Sequence, residues 1–69
     1  MEIRSEMAAT VWKVLVEEGQ SVMKGETIVI LDCMKMEIPV ESPIQGTVRM
    51  LRVQPNMSID QGGIIAVIE

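Results

Sequence analysis

The chain contains one segment written twice. From Thr10 onward each residue pairs, without a gap, with the residue 37 positions later. Thr10, Val11, Val16, Ser21, Gly25 and Ile28 then meet Thr47, Val48, Val53, Ser58, Gly62 and Ile65, all identical. Val14/Leu51, Val22/Ile59, Ile30/Val67, Leu31/Ile68 and Asp32/Glu69 are conservative pairs, and the register runs backwards through Ile3/Val40, Ser5/Ser42 and Met7/Ile44. With 69 residues the chain lies near the lower size limit for an unaided core. The halves, about 1–32 and 38–69, are therefore expected to form one domain. The link between them carries Met34-Lys35-Met36, and the counterpart of Lys35 falls beyond the last residue. The Lys35 turn and the chain ends are thus expected at opposite poles.

The side chains decide the class. Nine Ile and nine Val stand against three Leu and three Ala. β-Branched residues suit pleated strands and are stiff at χ1 in a helix, so the excess indicates an all-β fold. A single cysteine excludes an internal disulfide, and with no histidine there is no cluster for a structural zinc. A net charge of −4, with six scattered cations and one aromatic residue, speaks against nucleic acid as a partner. The apolar runs are too short to span a bilayer and no secretory signal is read ahead of the first strand, so a cytoplasmic protein is the expectation. Beginning with Met and ending as a strand completes, the chain is expected to be a complete small protein, and a monomer.

Each half reads strand, turn, short strand, turn, strand, preceded by a lead-in strand. Met1 to Ser5, Thr10 to Val16, Ser21 to Met23 and Thr27 to Cys33 are matched by Met36 to Ser42, Thr47 to Val53, Ser58 to Asp60 and Ile64 to Glu69. Alternation along Thr10 to Val16 puts Trp12, Val14 and Val16 on one face and Val11, Lys13 and Leu15 on the other. Turns are expected at Glu17 to Gln20, Met23 to Glu26, Gln54 to Met57 and Gln61 to Gly63. Pro39 and Pro43 would each remove a ladder donor and belong at edges or bends. Eight short strands in two related halves predict a flattened β-barrel or sandwich of two four-stranded antiparallel sheets with pseudo-twofold symmetry. Local signals alone do not place a turn at Lys35. Residues 27 to 38 hold no Gly, Asn, Pro or Ser to mark one.

 

Two-residue hairpins favour Asn-Gly or Asp-Gly because both central residues need positive φ. A Met-Lys pair there would be strained, and strain at an exposed turn is a pointer to function.

Cys33-Met34-Lys35-Met36-Glu37 resembles the attachment motif of the biotinyl domain family, which reads Ala or Ser followed by Met-Lys-Met. Val16-Glu17-Glu18-Gly19-Gln20-Ser21-Val22, Lys24-Gly25-Glu26 and Ser42-Pro43-Ile44-Gln45-Gly46-Thr47-Val48 also match the family's spacing, so the likeness covers essentially the whole chain. It implies a hammerhead fold with Lys35 exposed on a tight hairpin turn. Lys35 would carry covalent biotin, joined to its ε-amine by a biotin protein ligase. Met34 and Met36 would flank it as recognition residues, with Glu37 and Cys33 as further candidates. The loaded domain would carry carboxybiotin between a biotin carboxylase and a carboxyltransferase, as a non-catalytic subunit. A free lysine amine is neutral in only on the order of one in a thousand molecules at pH 7, so activation falls to the ligase.

The sequence departs from the family pattern at Cys33, at Ala9 where glycine is usual, and at Glu6 where proline is usual. Lipoyl domains share the fold and the turn lysine but typically place Asp before it and Ala or Val after it. A lipoyl carrier, a dual acceptor served also by a lipoate ligase, and an unmodified scaffold are the alternative readings. Trp12 is expected to pack on its own domain, with docking to a carboxylase as its other role.

Overall fold

The computed structural model describes residues 1–69. Eight strands follow one another: β1 (Glu2–Arg4), β2 (Ala9–Val14), β3 (Ser21–Val22), β4 (Thr27–Cys33), β5 (Met36–Glu41), β6 (Gly46–Leu51), β7 (Ser58–Ile59) and β8 (Ile64–Ile68). They form two four-stranded antiparallel sheets, ordered β1-β8-β6-β3 and β5-β4-β2-β7. Each sheet therefore takes two strands from each half of the sequence. The halves are interleaved, and neither owns a sheet.

The repeat explains the core. Its buried residues include the matched pairs Val11/Val48, Val16/Val53, Val22/Ile59, Ile28/Ile65, Val29/Ala66 and Leu31/Ile68. Backbone hydrogen bonds cross between the halves in the same paired way. The Gly25 N–H donates to the Ser42 carbonyl, and the Gly62 N–H to the Ser5 carbonyl, both at 2.8 Å. These two glycines have φ of 87° and 83°, a left-handed conformation that a Cβ disfavours. Ser5 and Ser42 are buried, and their hydroxyls donate to the carbonyls of Met7 and Ile44. A buried hydroxyl without a partner would be costly, and the second copy solves the problem as the first does.

The simple alternation expected along Thr10 to Val16 is corrected by the structure. The β2–β4 register shifts between Val11 and Lys13, leaving Trp12 as an extra residue in β2. This bulge reverses the alternation beyond it, so Val11 and Val16 are both buried while Trp12, Lys13 and Leu15 are exposed. The second copy has the same irregularity between Val48 and Met50. Pro39 lies in β5, an outer strand of its sheet, where a missing donor costs no ladder bond on the free side.

The shared core predicts that Ile28→Ala and Ile65→Ala each lose about 2–5 kcal/mol of stability, because each empties a fully buried site. Chemical denaturation measures both. A near-neutral result for either one would contradict an equal contribution from the two copies.

Candidate functional site

Strands β4 and β5 pair from Thr27↔Glu41 to Cys33↔Met36, leaving Met34 and Lys35 as a two-residue turn. Both have positive φ, 52° for Met34 and 66° for Lys35, as a type I′ turn requires. A left-handed conformation costs an ordinary residue roughly 1–2 kcal/mol. The long β4–β5 ladder holds the turn in that state. Lys35 is exposed, as are its neighbours Met34 at 90% and Met36 at 64%. The two ion pairs of the molecule, Glu2–Arg4 and Arg49–Glu69, do not involve it. The amine is thus presented at a tip that a large partner can approach from several sides.

The five motif residues Cys33 to Glu37 lie together because they are consecutive on one hairpin. Cys33 is half-buried and its thiol is free, while Glu37 is exposed. Asp32 and Glu37 face each other directly across β4 and β5. Like charges in that position are destabilising, so the strand pairing is not optimised for stability here. A shallow depression of about 300 Å³ is lined by Trp12, Asp32, Lys35 and Glu37. A larger groove of about 410 Å³ runs between β1 and β5, lined by Ile3, Ile38 and Val40 among others, but Lys35 does not border it.

A family model described as "Biotin-requiring enzyme" matches residues 1–68. The chain belongs to this biotin/lipoyl attachment family. It is 42% identical over 67 residues to the biotinylated protein TB7.3 homolog of Mycobacterium leprae, covering 97% of this chain and 94% of that protein. It is 32% identical over 65 residues to the biotin/lipoyl attachment protein of Bacillus subtilis, covering 94% of this chain and 89% of that one. The crystal structure of the urea carboxylase of Kluyveromyces lactis contains the same fold. It superposes with a TM-score of 0.92 at 26% identity, covering all of this chain and 6% of that enzyme.

Within this family fold, the expectation that Trp12 packs on its own domain is not met. The bulge turns Trp12 outward, where it is 42% exposed and borders the depression beside Lys35. The Lys13 ammonium lies 4.8 Å from the centre of its ring. At an exposed site such a contact contributes about 0.5–1 kcal/mol. The repeat held a signal for this site. The counterparts of Trp12 and Asp32 are Arg49 and Glu69, which form an ion pair at 2.8 Å. The first copy has tryptophan in place of the arginine, so the Asp32 carboxylate lacks the partner that Glu69 has.

If the hairpin is strained for the sake of its lysine, relieving the strain should stabilise the fold. Met34→Asn combined with Lys35→Gly is expected to gain about 1–2 kcal/mol in chemical denaturation. An unchanged or lower stability would contradict the strain.

Proposed function

We propose that this chain is a biotin carboxyl carrier in which Lys35 is the attachment residue. The observation that carries the reading is the lysine at the tip of a strained hairpin, exposed and outside both ion pairs. The residues fit the group: the amine is free to react, and the flanking methionines offer flexible apolar contact without a competing nucleophile. Attachment forms an amide between the biotin carboxyl carbon and Lys35 Nζ. The leaving group of the activated carboxyl departs, and the ammonium gives up two protons overall. A biotin protein ligase would supply the activation, since no side chain around Lys35 is placed to do so.

Bound biotin supplies a ureido nitrogen that accepts and releases a carboxyl group. The chain's own contribution is mechanical. The two sheets form a stable base, and the turn holds the arm at its tip. A tethered group meets each partner site at a high effective concentration, which replaces free diffusion. The partners would be a biotin carboxylase and a carboxyltransferase, with the carrier itself non-catalytic. The urea carboxylase supports this, because there the same fold is a small part of a carboxylase.

One observation favours a second reading. The Bacillus subtilis relative is named for both biotin and lipoyl attachment. Lipoate on the same lysine would make the chain a lipoyl carrier or a dual acceptor. Methionine on both sides of Lys35 favours biotin.

The carrier reading predicts that ligase-treated protein accepts labelled carboxyl from bicarbonate when a biotin carboxylase and ATP are present. Lys35→Arg should accept none. Equal labelling of the variant would move the attachment site elsewhere, and no labelling of biotinylated wild type would remove the carboxyl-carrier role.

A further inference from the structure

The depression beside Lys35 combines three features that the attachment of a group does not itself require. Trp12 offers a half-exposed ring, pushed outward by the β2 bulge. Asp32 and Glu37 place two carboxylates opposite each other with no ion-pair partner. Lys35 borders the same depression, so whatever it carries is tethered next to them.

Amide formation changes the charge of this site. The Lys35 ammonium is lost, and Asp32 and Glu37 remain as two uncompensated acceptors. A biotin head group has an apolar sulfur-containing ring fused to a ureido ring with two N–H donors. We propose that the depression is a resting site for this head group, with Trp12 covering the apolar ring and the carboxylates of Asp32 and Glu37 accepting from the ureido N–H groups. The inference rests on the biotin reading of Lys35. The same carboxylates repel an anionic head group, so the site favours the neutral form of the arm.

At about 300 Å³ the depression is at the small end of ligand pockets, and its hold is weak. A tether compensates, because a short flexible link gives an effective concentration in the millimolar range. A contact with a dissociation constant of that order would be occupied roughly half the time. The weak Lys13 contact on the Trp12 ring is readily displaced.

The chain has one tryptophan and no tyrosine, so its intrinsic emission reports on Trp12 alone. The experiment compares acrylamide quenching of unmodified protein with that of protein shown by peptide mass to carry one biotin on Lys35. Loading is expected to lower the quenching constant by roughly a third to a half, and free biotin at equal concentration to leave it unchanged. Streptavidin should capture biotinylated Trp12→Leu about twofold faster than biotinylated wild type, since the head group is no longer held. Identical quenching with and without biotin, together with equal capture rates, would overturn the resting site while leaving the carrier reading intact. A Lys35 that takes no biotin would overturn both.

Discussion

The structure depends on the exchange of strands between its two halves. Each sheet draws two strands from each copy of the repeat, and each copy's glycine turn donates to a serine carbonyl of the other. A half-chain would leave its sheets without neighbours and its apolar face without a cover. Sharing one core is how 69 residues without a disulfide bury enough aliphatic surface. The link between the copies is the two-residue turn Met34-Lys35, which joins β4 to β5.

Met34 and Lys35 occupy positions that glycine and asparagine fill more comfortably. The ladder from Thr27 to Cys33 against Met36 to Glu41 is long enough to impose the conformation. The like-charged pair Asp32 and Glu37 at the base of the hairpin adds a second local cost. Two unfavourable features coincide at this one tip, as the proposed attachment role of Lys35 leads one to expect.

Much of this was legible in the sequence. The gapless repeat gave the correspondence between the halves, which the core follows at Val11/Val48, Val16/Val53 and Ile28/Ile65, and the Ile and Val excess gave the class. The turn at Lys35 was not legible from local propensity, because positive φ at Met and Lys has no compositional signal. Its placement came from the repeat and from the family resemblance. The face assignment in β2 failed for a physical reason: a bulge adds one residue and reverses the alternation, and nothing in Thr10 to Val16 announces it. Trp12 was misplaced by the same bulge. Comparing the two copies shows the substitution, since Arg49 and Glu69 pair where Trp12 and Asp32 do not.

The central claim is that Lys35 is the residue this fold exists to present. The most direct measurement is the intact mass and peptide map of protein purified from cells in which biotin and lipoate ligases are both active. The account predicts one biotinyl increment, located on the peptide containing Lys35 and absent from Lys35→Ala. A lipoyl increment at Lys35 would keep the site and replace the cargo. No increment, or one confined to Lys13 or Lys24, would contradict the account.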